Sequence, residues 1–399
     1  MSTANEAAPD AVDKKLGTFA GVFTPSILTI LGLILFLKLQ DVVGSAGLGQ
    51  ALIIILIANL ISILTSMSVA AVATNLKVKS GGDYYLISRT LGLQFGGAIG
   101  LVLFCAQSVS VGFYCIGFAQ VTTEILQWQG PWAVQMVAGV AVCALFVLAW
   151  LGADWASRFQ YIIMAVMVSA LVSFFWGAFD GWNSALLDAN WESPENATPF
   201  WLVFALFFPA VTGFTQGVSM SGDLREPGKS IPLGSFLAIG ISLVVYMACA
   251  VALAGAQPLG MLADDANSMR AISIFGPLID AGIVAATLSS ALASFLGAPR
   301  ILQALAKDRI FPILKPFARG TGPSNNPRRG VMLSSVIALA IIAIGSLDLV
   351  AAIVSMFFLV SYGLLNYATY YEGSASSPSF RPRFRWFDRR LSLLGAMGC

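Results

Sequence analysis

The residues best placed to bind something lie in the middle of an apolar run. Phe207-Phe208-Pro209-Ala210-Val211-Thr212-Gly213-Phe214-Thr215-Gln216-Gly217, running on to Ser221-Gly222-Asp223, sits in a segment of membrane-spanning length that opens near Phe200. Pro209 removes a backbone donor and clashes with the turn before it, so an uninterrupted helix is not expected. In hydrocarbon, freed backbone groups persist only where they line a cavity or meet a ligand, which makes a broken span a binding site. The plain alternative is a tolerated kink. A second stretch, Pro25-Ser26-Ile27-Leu28-Thr29-Ile30-Leu31-Gly32, again sets proline, hydroxyls and glycine inside an apolar run.

The chemistry of such breaks follows from unpaired backbone. Where a helix restarts, free N–H groups and the positive end of the dipole hold anions; the restarts are Gly32-Leu33-Ile34 and Gly213-Phe214-Thr215. Where a half-helix stops, free carbonyls suit hard cations, here those of Leu28, Thr29, Ile30, Leu31, Pro209 and Thr212. Ala286-Thr287-Leu288-Ser289-Ser290 offers adjacent hydroxyls. A Ser pair in a membrane helix is more often packing glue, but beside a carbonyl-bearing break it reads as a sodium site. Neither break carries a charged side chain, so the expected ligands are small ions.

The elements that must position these groups are membrane helices. The chain has 399 residues, 57% hydrophobic and 11% charged, and its apolar runs repeatedly approach the roughly 20 residues that cross a bilayer. The reading is all-α and polytopic, with ten complete spans at about 18–40, 48–75, 93–126, 131–151, 157–179, 200–221, 232–255, 271–297, 330–346 and 348–370. An eleventh begins near Leu391, and a chain that ends inside an apolar run reads as a fragment. Residues 1–16 form a tail, 17–370 a ten-helix core with repeats at about 17–180 and 200–370, and 371–390 a basic loop. The loop from Pro299 to Arg329 is basic and rich in proline, with a short surface helix expected over Arg300 to Ile310. Of 22 Lys and Arg residues, all but Lys38 and Arg270 fall on one side, which places the amino terminus in the cytoplasm. The interrupted spans, one and six, are five apart. That odd offset inverts the second set of five, the pattern of an inverted-repeat transporter with broken helices one and six.

Longer motifs now carry a resemblance. Gly81-Gly82-Asp83-Tyr84-Tyr85-Leu86-Ile87-Ser88-Arg89, Phe208-Pro209-Ala210-Val211-Thr212-Gly213, Ser221-Gly222-Asp223-Leu224, the run Ala286 to Ser294, Ala298-Pro299-Arg300 and Gln303-Ala304-Leu305 resemble the cation–chloride cotransporters. That family belongs to the amino acid–polyamine–organocation superfamily, with the LeuT/APC-type 5+5 inverted repeat. The resemblance implies electroneutral symport of Na⁺, K⁺ and Cl⁻ by alternating access. It places sodium on the carbonyls of Leu28 and Leu31 with Ala286, Ser289 and Ser290, and potassium on Thr29, Ile30, Tyr114, Pro209 and Thr212. It places one chloride on Gly32, Leu33 and Ile34, and a second on Gly213, Phe214 and Thr215 with the Tyr362 hydroxyl. The retained Ser pair and Tyr114 resemble the sodium–potassium–chloride branch, although Thr29 stands where the family usually has Asn.

A second departure concerns the outer gate. Lys38 lies six residues past the first break, about 9 Å outward, and the family's acidic partner on span three is replaced by Gln120. An ionisable residue inside a span calls for a partner or a function. Asp280, at similar depth on span eight, is the expected partner of Lys38, with Gln120 as a hydrogen-bonding neighbour; a water-facing Asp280 or a pair with Arg270 are the alternatives. Asp41 and Glu124 read as outer-surface charges. The basic run Arg381 to Arg390 reads as a solvated cytoplasmic face, with contact to lipid headgroups as the alternative.

Other classes fare worse. An amino acid permease of the same fold is the runner-up, but a Gly-x-Gly cluster that seats a carboxylate is replaced by Ile30-Leu31-Gly32-Leu33-Ile34. There is no catalytic constellation, cofactor motif or selectivity-filter repeat, and histidine is absent. The expected partners are membrane lipid and transported ions, with no nucleic acid and no cofactor. The resemblance implies a homodimer through segments beyond this chain, and a plasma-membrane location.

Overall fold

The computed structural model describes residues 15–75, 82–151, 156–219, 221, 224–264, 267–322, 325–375 and 380–399. Most of the predicted tail, and Gly81, Gly222 and Asp223 of the motifs, lie outside the described residues. Among the described residues there is no strand, only two isolated bridges. Span one consists of a turn of wide helix, Phe19–Phe23, then α1 (Thr24–Ile30) and α2 (Leu33–Leu37). A short α3 (Leu39–Ala46) follows, then α4 (Leu48–Asn75), α5 (Gly82–Leu91), α6 (Leu93–Ile125), α7 (Ala133–Leu151), α8 (Ala156–Asp180) and α9 (Ser184–Ala189). Span six is α10 (Phe200–Phe207), a tight turn at Phe208–Val211 and α11 (Thr215–Ser219). After it come α12 (Pro227–Ala256), α13 (Leu259–Asp264), α14 (Ser268–Ile272), α15 (Gly276–Lys307), α16 (Arg328–Ile344), α17 (Leu347–Ser374) and α18 (Arg389–Gly398).

Nine of these stretches are long and apolar enough to cross a membrane among the described residues. The predicted ninth span, α16, has 17 residues, about 26 Å of helix. It ends where Gly345 turns left-handed at φ 74°, and the Ser346 side chain then caps α17 by accepting from Leu349 N. Packing repeats at an offset of five spans: α4 lies against α12, and α6 against α15. The fold is the ten-helix inverted repeat with spans one and six broken.

One local expectation needs correction. Residues 300–307 do not start a separate surface helix, because α15 runs straight through Pro299 to Lys307. A proline inside a membrane helix is tolerated where a neighbour holds the chain in place. Here that neighbour is α16: a Cβ on Gly330 would stand 2.9 Å from Pro299 Cβ. The outer helices α3, α9, α13 and α14 were not anticipated; they are too short for an apolar period to show.

Candidate functional site

The two breaks meet in the buried centre of the bundle. A Cβ on Gly213 would sit 2.8 Å from Ile30 N and from Thr29 Cβ, so only glycine lets the second break lie against the first. Ser26 Oγ donates to Phe214 O at 3.1 Å and ties α1 to the restart of span six, while Ser62 Oγ on α4 donates to Val211 O at 2.9 Å. Leu28, Thr29, Ile30, Pro209, Thr212 and Phe214 are all buried.

At the first break α1 stops with Leu31 N donating to Ile27 O at 2.9 Å. Gly32 then turns the chain into α2 without a side-chain cap. The Gly32 amide finds no backbone acceptor among the described residues, and Leu33 and Ile34 open α2. Unpaired amides at the start of a helix carry the positive end of its dipole. At the second break the amides of Gly213 and Phe214 are likewise without a backbone acceptor among the described residues.

The cation side is more occupied than the sequence suggested. Thr29 Oγ1 donates to Pro25 O at 2.9 Å, so the hydroxyl turns back along its own helix. The Ile30 carbonyl accepts from the Tyr246 hydroxyl at 2.7 Å. Thr212 Oγ1 donates to Pro209 O at 2.8 Å. The Tyr362 hydroxyl donates to Thr212 O at 2.9 Å, so in this arrangement its proton faces a carbonyl and not the amides of Gly213 to Thr215. Pro209 O also accepts from Thr212 N at 3.3 Å, and Thr212 O from Thr215 N at 3.5 Å and Thr215 Oγ1 at 3.2 Å, so a cation at these two carbonyls competes with contacts already made. Tyr246 was missed because a lone tyrosine in an apolar span has no spacing partner. Its signal is the rule that a buried phenol needs an acceptor. Tyr114 is buried on α6 and lies within electrostatic reach of Tyr246.

Of the Ala286, Ser289 and Ser290 set, Ala286 and Ser290 are fully buried and Ser289 is half-buried. Ser290 Oγ has no hydrogen-bond partner among the described residues. It stands 3.7 Å from where a Gly32 Cβ would be, a point itself 3.2 Å from Leu28 O and 3.1 Å from Thr29 O. A buried hydroxyl without a partner costs about 1–3 kcal/mol. A hydroxyl oxygen grouped with carbonyl oxygens is the ligand chemistry that hard cations prefer. On the other side of Ser290, Gln216 Nε2 donates to Gln107 Oε1 at 3.0 Å and reaches Ser294 Oγ at 3.5 Å, joining α11, α6 and α15.

The expected pairing at the outer end is overturned. Lys38 Nζ bonds Asp41 and Asp348, both at 2.7 Å; Asp280 instead pairs with Arg270 at 3.3 Å. Asp348 opens α17 and Asp41 sits in the first turn of α3, so both reach Lys38 more directly than a residue on α15. Asp41 is therefore not a free surface charge, and Glu124 accepts a hydrogen bond from Asn267. Gln120 is half-buried on α6. Burial works against the Lys38 charge, and the paired carboxylates of Asp41 and Asp348 compensate it. Burial raises the Asp41 pKa, and Lys38 offsets only part of that.

At the opposite end Leu16 bridges to Leu224, with Arg225 N donating to Leu16 O at 2.9 Å, and Thr18 Oγ1 donates to Ser230 Oγ at 3.0 Å. Asp308 at the end of α15 accepts from Tyr84 and from Arg89, both at 2.7 Å.

The amino acid permease family profile matches residues 21–399. Solute carrier family 12 member 2 of Mus musculus is 36% identical over 441 residues, covering 96% of this chain and 36% of the relative. The Squalus acanthias member 2 is 37% identical, with 96% of this chain and 37% of the relative covered. Solute carrier family 12 member 1 of Mus musculus is 36% identical, with 96% and 40% covered. The chain thus spans about two fifths of the length of these relatives.

Proposed function

The chain belongs to the amino acid permease family, and we propose that within it the chain works as a chloride-coupled cation symporter. Its ions are held at the two breaks, and it is a carrier rather than an enzyme, as the solute carriers it resembles are. Sodium is held by the carbonyls of Leu28 and Leu31 with Ala286, Ser289 and Ser290. Potassium is held by Thr29, Ile30, Tyr114, Pro209 and Thr212. The chlorides sit on the amides of Gly32 to Ile34 and of Gly213 to Thr215. The observation that carries this reading is the unpartnered Ser290 hydroxyl beside the carbonyls of the first break. A cation there neutralises an anion at the amides a few residues away, so each ion lowers the cost of burying the other. Tyr362 assists the second chloride once its hydroxyl turns from Thr212 O.

The positive-inside bias places the amino terminus in the cytoplasm of the cell membrane, so the Lys38 cluster closes the outer side. Lys38 and Gln120 belong to the outer gate, and Asp280 contributes through Arg270. Alternating access then means parting these contacts and the Leu16–Leu224 contact by turns. Tracer uptake of rubidium, sodium and chloride into proteoliposomes, omitting each ion in turn, tests the reading. Rubidium uptake must fall when sodium or chloride is withheld. Uptake indifferent to both, or sodium-driven uptake of an amino acid, would overturn it and favour the permease alternative.

A further inference from the structure

The segment from Phe380 to Arg390 has a built shape that the transport reading does not use. Its residues alternate in burial: Phe380, Pro382 and Phe384 turn toward the protein, while Arg381, Arg383 and Arg385 are exposed. The backbone is pinned to the end of α4, with Arg381 N donating to Asn75 Oδ1 at 2.6 Å and Phe384 N to Thr74 Oγ1 at 3.2 Å. The Phe384 ring stacks on Phe236 of α12 at 5.8 Å and 12°, and Phe380 meets Phe387 edge-on at 5.5 Å. The arginines are therefore held outward by an anchored strip of rings and are not on a loose loop.

Two further observations say what the strip faces. Arg381, Arg383, Arg385, Arg389 and Arg390 have no carboxylate partner among the described residues, whereas Arg89 and Arg270 do. Arg389 and Arg390 also open α18, where the positive end of the dipole repels them; Asp388 caps that end by accepting from Arg390 N at 2.8 Å. An external anion offsets both. In the midst of the arginines Trp386 is 73% exposed. Indole prefers the headgroup level of a bilayer, and the strip lies at the ends of α4 and α17 and against Phe236 in the amino-terminal half of α12. A soluble anion would give no reason for the exposed ring.

We propose that residues 380–390 form a binding surface for anionic phospholipid headgroups of the cytoplasmic leaflet. The arginine comb holds the phosphates, and Trp386 is seated among the headgroups. The inference rests on the membrane placement and not on which ions are carried, so its failure leaves the transport reading intact. The test titrates the full purified chain with short-chain phosphatidylserine, phosphatidylcholine and inorganic phosphate. Bound lipid is counted by native mass spectrometry. Phosphatidylserine is expected to bind at least tenfold more tightly than phosphatidylcholine, and R381Q/R383Q/R385Q to lose phosphatidylserine by roughly a hundredfold. The charge-preserving R381K/R383K/R385K retains most binding and guards against a folding defect, which the melting profile checks. Brominated phosphatidylserine quenches wild-type fluorescence more than that of W386F. Equal affinity for both lipids, a triple glutamine variant that binds like wild type, or displacement of the lipid by excess inorganic phosphate would each overturn the proposal.

Discussion

Ser290 distinguishes an ion ligand from a packing residue at the scale of one atom. A hydroxyl that serves as glue donates to something, and Ser290 Oγ has no partner among the described residues. Ser290→Ala therefore removes an unpaired polar group, and stability without ions should stay level or rise. Sodium-dependent uptake should fall tenfold or more, read as flux against sodium concentration. Tyr246→Phe has the opposite profile. It leaves the buried Ile30 carbonyl without its 2.7 Å donor, so the melting point drops by an amount worth about 1–2 kcal/mol, whatever ions are present. Asp41 supplies the pH dependence. Burial raises its pKa in the fold, so between the ordinary aspartate value and the raised one the folded chain holds a proton that the unfolded chain has lost. Stability thus falls as pH rises through that window. Melts across the acid range should show this slope in the wild type and lose it in Asp41→Asn. At this scale the sequence carried Ser290 and the break residues, which advertise themselves by type. It could not carry Tyr246 or the Asp348 partner of Lys38, because contacts across more than 200 residues leave no local spacing; Asp41, close by in the chain, was in view and read as a surface charge.

Among the elements, the contact that matters most at the outer end joins span one to span ten. Lys38 closes α2 and Asp348 opens α17, so their 2.7 Å pair bridges a half-helix of the first break to a helix that packs on the second. Asp348 is 55% exposed, which limits the pair to about 0.2–1 kcal/mol. That is little for stability but enough to shift a conformational equilibrium. Asp348→Asn should leave the melting point almost unchanged and increase thiol labelling of a Q120C reporter roughly two- to fivefold. Unchanged labelling would mean that the pair follows closure and does not bias it. The misassigned partner, Asp280, shows why depth alone misleads: equal rise along two helices does not fix which faces meet. The error at Pro299 is of the same kind. Proline predicts a helix end from local backbone, while α16 packed at Gly330 lets α15 continue.

For the whole molecule, the matched breaks five spans apart were readable because each span must be apolar and each exception must have a cause. What composition could not show is that the breaks touch. Gly213 sits against the backbone of Ile30, and Ser26 reaches Phe214 O, so the carbonyls and amides assigned to opposite charges belong to one rigid junction. On the proposed symport reading, coupling of the ions follows from that contact. A cation bound alone leaves an uncompensated charge in a buried centre, and so does an anion. Ligand binding stabilises a fold by about 2.7 kcal/mol at a hundredfold excess over the dissociation constant, so the coupling is visible without transport. Melting the purified chain in sodium chloride should raise its midpoint by several degrees over an ion-free buffer. Sodium with an inert anion, or chloride with an inert cation, should each give well under half of that shift. In Ser290→Ala the joint increment should collapse to the chloride arm alone. Equal, additive shifts from the separate ions would mean that the two breaks bind independently, and the single-junction account of symport would fail with them.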